Sequence, residues 1–203
     1  MLATRSLAGL IYDNVLSYSR RDGPGASNRP TTGIHGFPRE NMSEARVELA
    51  NRFFFRLYQC ANMLHKTGSR AVAGEGLTTQ QWAVLGALSR PEAQGGMSVG
   101  ELARYLMVSR QNLAGLLSRM ERDGHIQLAP DPQDRRSRLV RMTAGGRKLW
   151  LHDAQPKIRA YYEQALNEFS MGDITHALHY MMKLLENMKQ IDEQDPAQPD
   201  APE

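Results

Sequence analysis

Between Ser98 and Gly124 the chain reads SVGELARYLMVSRQNLAGLLSRMERDG, and this stretch constrains the fold most. Ser98 and Glu101 have the spacing of a capping box and open a short helix that runs through Tyr105. The apolar LMV step then breaks the pattern. Ser109 can cap a further helix, which Gly124 ends. Helices this short are marginal in water by themselves, so they must pack on each other and on a neighbour. Leu113, Leu116, Leu117 and Met120 supply the buried face of the second one. Two short capped helices joined by a tight step predict a helix-turn-helix.

The flanking segments extend that unit. GLTTQQWAVLGALSR carries a capping box at Thr78 and Gln81 and an apolar stripe of Trp82, Val84, Leu85 and Leu88. After Gly124, HIQLA and RLVRM have strand character, with Val140 and Met142 on the inward face of the second. The connecting APDPQDRRS predicts a proline turn at the tip of a hairpin, so the helices are followed by a wing. In a helix-turn-helix the second helix enters the DNA major groove by its N-terminal end. That end presents Ser109, Arg110, Gln111 and Asn112, with Ser118 and Arg119 further along. Arginine can pair with guanine, and Gln or Asn with adenine. The wing crowds Arg135, Arg136, Arg138 and Arg141 together, beside Asp131 and Asp134. A hairpin tip there can reach the minor groove, where negative potential favours arginine. Asp134, two residues before Arg136, is placed to orient its guanidinium. Net charge is only +3, so nucleic-acid binding has to come from this local placement.

Outside the winged region the pattern is helical. From Ser43 to about Lys66, Val47, Ala50, Phe54, Leu57, Ala61 and Leu64 form a heptad-like seam, with Phe53, Phe55 and Tyr58 beside it. A loop is expected over 67–76. After Thr143 the chain is again mostly helical, with a kink or break at Pro156. Ser170 and Asp173 cap a last helix with an apolar face of Ile174, Ala177, Leu178, Met181, Leu184, Leu185 and Met188. These helices are long and apolar enough to bury a dimer interface. Residues 1–42 read as an extension with a short helix and a Gly/Pro-rich linker, and 191–203 as an acidic, disordered tail. No apolar run is long enough for a membrane span, and the lone Cys60 excludes an internal disulfide and fits a cytoplasmic protein. Catalytic motifs, cofactor loops and metal sets are absent, and His176 with His179 lacks a completing ligand.

The segments LTTQQWAVL, VSRQNLAGLLSRMERDGHI and DPQDRRSRLVRMTAGGR closely resemble the MarR family of winged-helix transcriptional regulators, and the flanking helices extend the resemblance over about 43–190. The Asp-x-Arg wing followed by Thr-x-x-Gly is its most specific part. The resemblance implies a mainly α fold: a winged helix-turn-helix over 77–143 with a β-hairpin wing, flanked by N- and C-terminal dimerisation helices over 43–66 and 146–190. It implies a homodimer on a pseudo-palindromic double-stranded DNA operator, usually acting as a repressor. It further implies release by a small aromatic or phenolic acid. Matching segments supply Phe53, Arg56, Tyr58, Gln59, His65, Trp82 and Trp150 for that effector. Gly115 stands where relatives often carry a polar or basic residue, and residues 1–40 have no counterpart in the common pattern. Two alternatives stay open: an oxidant-sensing regulator acting through Cys60, whose apolar neighbours favour an inert buried thiol, and a winged-helix module that meets a protein.

Overall fold

The computed structural model describes residues 43–131 and 137–194. They fall into two compact units divided between Arg159 and Ala160.

The first unit opens with α1, Glu44–Ala71 (28 residues). It runs past the loop expected from residue 67 because Gly68 lets two helices close on each other. A Cβ at Gly68 would meet Thr79 Oγ1 at 3.0 Å and Trp82 Cζ3 at 3.1 Å. Gly68 is also the only buried residue of α1. Its apolar seam therefore stands uncovered in the single chain, with Phe53, Phe54, Phe55 and Tyr58 all about half exposed or more.

After a 3₁₀ turn at Ala73–Glu75, Thr78 closes its capping box with Gln81 and starts α2, Thr79–Leu88. The box at Ser98 and Glu101 likewise forms and starts α3, Val99–Leu106. The step to the next helix is made by Met107 in the left-handed region (φ 54°), with the Val108 N–H donating to the Ala103 carbonyl at 3.1 Å. Ser109 then caps α4, Arg110–Arg122. Leu113, Leu116, Leu117 and Met120 are buried as the apolar spacing predicts. They meet Leu85, Leu102, Ile126 and Val140 in one core, where each large aliphatic group contributes about 1.5–3 kcal/mol by leaving water.

The wing strands are β2, Ile126–Pro130, and β3, Arg138–Met142, paired antiparallel with Leu128 opposite Val140. A third strand, β1 (Met97–Ser98), adds to the far edge of β3, so the sheet order is β1-β3-β2. Sequence pattern misses β1, whose two residues also serve as the entry to α3.

Beyond the wing, α5 (Ala144–Lys148) passes into a π-helical stretch, Leu149–Ala154, and then α6, Gln155–Ala165. The expected disturbance at Pro156 takes this form. Its missing N–H and its ring cannot be fitted into regular i→i−4 bonding, and a widened turn just upstream absorbs the conflict. Trp150, Ala154 and Ile158 are buried within the first unit, and Trp150 packs over Gly86 of α2. The start of the stretch assigned to dimerisation thus belongs to the winged-helix core.

The second unit holds the end of α6 and α7, Met171–Gln194, four residues longer than the expected boundary at 190. Ser170 and Asp173 cap α7 as predicted: the Ser170 hydroxyl accepts from the Asp173 N–H at 3.1 Å, and the Asp173 carboxylate accepts from both the hydroxyl and the N–H of Ser170. These bonds hold the Asp173 carboxyl below its ordinary value, the hydroxyl bond contributing most. No residue of α7 is buried. Residues 1–42 and 195–203, with the expected extension and most of the acidic tail, lie outside the described residues.

Candidate nucleic-acid interface

One face of α4 is buried, and the other carries Arg110, Gln111, Asn112, Ala114, Gly115, Ser118, Arg119 and Arg122, all exposed. Ser109, also exposed, makes the expected cap, its hydroxyl accepting from the Asn112 N–H at 3.2 Å. The amides of Arg110 and Gln111 precede that bond and point out of the helix end, a geometry that suits a phosphate oxygen. Gly100, at the start of α3, lies under the Arg110 guanidinium, since a Cβ there would be 3.6 Å from Arg110 Nη2. Arg119 lies back along its own helix, its Nη1 3.8 Å from a Cβ built at Gly115. The six recognition-helix candidates thus share one exposed end and side of α4.

The end of α4 is joined to the wing by several bonds. Gly124 takes the left-handed conformation (φ 75°) that lets the helix stop, and the His125 N–H donates to the Met120 carbonyl at 2.9 Å. Thr143, at the other end of the hairpin, donates from its hydroxyl to the Gly124 carbonyl at 2.7 Å and accepts from the Gly146 N–H at 2.9 Å. Gly146 itself presses on His125, where a Cβ would lie 1.9 Å from the carbonyl oxygen. The Thr-x-x-Gly sequence is therefore the clamp that closes the base of the wing. At the tip, the Asp131 N–H donates to the Ser137 carbonyl at 3.1 Å.

The wing arginines divide. Asp134, Arg135 and Arg136 lie outside the described residues. Arg138 is exposed, with Nη2 donating to the Leu128 carbonyl of β2 at 3.2 Å. Arg141 is turned to structure: its Nε donates to the Gly95 carbonyl at 2.8 Å and its chain lies against Gly96, which takes a positive φ of 97°. Sequence reasoning missed Glu121, whose Oε1 accepts from the Leu128 N–H at 2.9 Å. A lone carboxylate in the last turn of a helix opposes the helix dipole, and that is the one local signal that marked it.

The effector candidates are not drawn together. Phe53, Arg56, Tyr58, Gln59 and His65 are exposed on α1. At about 100° per residue, Tyr58 and His65 share one side and Phe53, Arg56 and Gln59 another. Arg56 donates to Gln59 Oε1 at 2.8 Å. Trp82 and Trp150 are buried in the winged-helix core. Cys60, expected among buried apolar neighbours, is exposed in the single chain because α1 covers almost nothing with that face. Among the described residues no helix is long and apolar enough to cross a membrane, and no cluster of three or more His, Cys, Asp or Glu could hold a metal ion.

Comparison with known proteins agrees with this geometry. A family model described as the MarR family matches residues 75–137. The chain is 69% identical over 154 residues to the transcriptional activatory protein BadR of Rhodopseudomonas palustris, spanning 76% of this chain and 88% of that one. It is 32% identical over 111 residues to the homoprotocatechuate degradative operon repressor of Escherichia coli, spanning 53% and 72%. Among solved structures, the transcriptional repressor CouR bound to a 23-mer DNA duplex superposes with a TM-score of 0.57 at 27% identity, covering 68% of this chain and 95% of that one.

Proposed function

Because the chain belongs to the MarR family of winged helix-turn-helix transcriptional regulators, and so is a DNA-binding regulator and not an enzyme, we propose that it binds a pseudo-palindromic operator as a homodimer, reads it with α4 and the wing, and responds to a small aromatic acid. The observation that carries this reading is the capped, exposed start of α4, where Ser109, Arg110, Gln111 and Asn112 converge. Ser118 and Arg119 extend the contact along the major groove, and Asp134, Arg135, Arg136 and Arg138 serve the wing. The uncovered apolar face of α1 supports pairing of two copies, and a two-fold dimer requires half-sites about 34 Å apart. We favour activation over the repression that is usual in the family, since the relative at 69% identity is named as an activatory protein. The name of the relative at 32% identity supports an aromatic acid as effector, with Arg56 beside Phe53 as its first candidate contacts.

The test is fluorescence anisotropy on a labelled duplex selected from a random pool by the full chain. Arg136→Ala should weaken binding by about 1–3 kcal/mol and lower the salt slope by about one unit, as loss of a single contact does. Binding with no salt dependence, or no enrichment of any sequence, would sink the operator reading. Transcription in vitro from a promoter carrying the selected site separates activation from repression.

A further inference from the structure

We propose that Glu121 is a positioning residue for the wing, fixing the hairpin to the end of the recognition helix so that both reach DNA in one register. The inference rests on the proposed use of the wing and adds a residue outside the predicted contact surface.

Sheet order leaves β2 as an edge strand, with β3 on one side only. In an antiparallel ladder alternate residues turn their N–H and C=O groups to the partner. The Asp131 N–H bonds Ser137 and the Thr143 N–H bonds His125, which places 125–143 and 131–137 among the bonded pairs. Ile126, Leu128 and Pro130 therefore direct their main-chain groups to the open edge. Ile126 sits where the strand leaves α4, and Pro130 has no N–H to offer. Leu128, midway, holds a donor and an acceptor that each need a partner or water. Both are met by side chains: the Glu121 carboxylate takes the N–H, and the Arg138 guanidinium gives to the carbonyl.

The two bonds differ in what they join. Arg138 is on β3, so its bond stays within the hairpin. Glu121 is on α4, seven positions from Leu128, and joins the hairpin to the helix midway along the strand, beyond the Thr143 clamp at its base. On the β3 side the hairpin is held part-way along by its pairing with β1 at Leu139 and Val140, which leaves the β2 side to be held against α4. The Glu121 bond supplies that hold, so both strands are fixed at the level of Leu128 and β2 is set against α4. Unfavourable placement near the negative end of the helix dipole is consistent with a residue kept for this bond.

Glu121→Gln keeps an acceptor oxygen and removes the charge, whereas Glu121→Met removes both. Their difference isolates the hydrogen bond from any change in phosphate repulsion. Each is made in the full chain, with and without Arg136→Ala, and titrated against the selected duplex. In the wild type and in Glu121→Gln, Arg136→Ala should weaken binding about tenfold or more, the scale of a specific contact. In Glu121→Met the same substitution should cost less than about threefold, because the tip no longer arrives. Amide exchange at Leu128 should quicken in Glu121→Met and stay slow in Glu121→Gln. If Glu121→Met fails to fold, Glu121→Ala with the same readouts takes its place. An undiminished Arg136 effect in the Met variant overturns the positioning role alone. No Arg136 effect in the wild type overturns the wing reading and this inference together. A lowered melting temperature with the Arg136 effect intact would reduce Glu121 to a stabilising residue.

Discussion

Gly145 and Gly146 are adjacent in α5, and the structure separates them sharply. A Cβ on Gly145 would lie 3.7 Å from the Gly124 carbonyl oxygen, an ordinary contact. A Cβ on Gly146 would lie 1.9 Å from the His125 carbonyl oxygen and 2.8 Å from its carbon. Because the obstacle is main chain, Gly146→Ala must push α5 and the start of β2 apart by more than about 1 Å to restore normal contact distances. That movement breaks the cap from the Gly146 N–H to Thr143 and strains the bonds from Thr143 to Gly124 and His125. The lost cap costs about 1 kcal/mol, each weakened hydrogen bond about 0.5–1.5, and the overpacking about 1–3, against about 1 regained from alanine's helix propensity. The net expectation is a loss of about 2–6 kcal/mol, with a gain of up to about 1 kcal/mol for Gly145→Ala. Urea unfolding of both variants under one buffer gives the comparison directly. Equal midpoints for the two would refute the clamp, since propensity alone treats the glycines alike.

Ser109→Ala should cost about 1 kcal/mol of stability through loss of the α4 cap, and should weaken operator binding in the folded protein. Unchanged urea midpoint and unchanged affinity would remove Ser109 from both roles. The Glu101 carboxyl is held below its ordinary value of 4.5, first by the Ser98 N–H and then by the Ser98 hydroxyl. A lowered folded-state pKa means the ionised cap stabilises fully above 4.5 and loses that contribution as pH falls through the lower folded value. The stability difference between wild type and Glu101→Gln should accordingly be flat from neutral pH down to about 4.5 and shrink below it. A difference that grows in acid would reverse the sign and exclude the cap as its source.

The helix-turn-helix was legible because its signals are local. Thr78, Ser98 and Ser109 announce helix starts, and the spacing of Leu113, Leu116, Leu117 and Met120 marks the buried side without reference to any other element. What escaped depends on partners far along the chain. The strand Met97–Ser98 exists because Val140 and Leu139 stand opposite it, a pairing no two-residue pattern can announce. The extension of α1 to Ala71 follows from the fit of Gly68 against Thr79 and Trp82. Arg138 and Arg141 look like their neighbours in sequence, yet carbonyls at Leu128 and Gly95 engage them. Trp82 and Trp150 read as ligand walls only through the family resemblance and more readily as core or surface by themselves, and both are buried.

The outer edge of β2 has a consequence for solubility. An open strand edge with free donors is a template on which another chain can add a strand, and natural sheets block it by chemistry or by shape. Here the donor at Leu128 is occupied by Glu121, and Pro130 supplies none. Loss of the acceptor oxygen at Glu121, as in Glu121→Met, would therefore expose a pairing site on the hairpin, and concentrated preparations of such a variant should form β-rich aggregates that the parent chain does not.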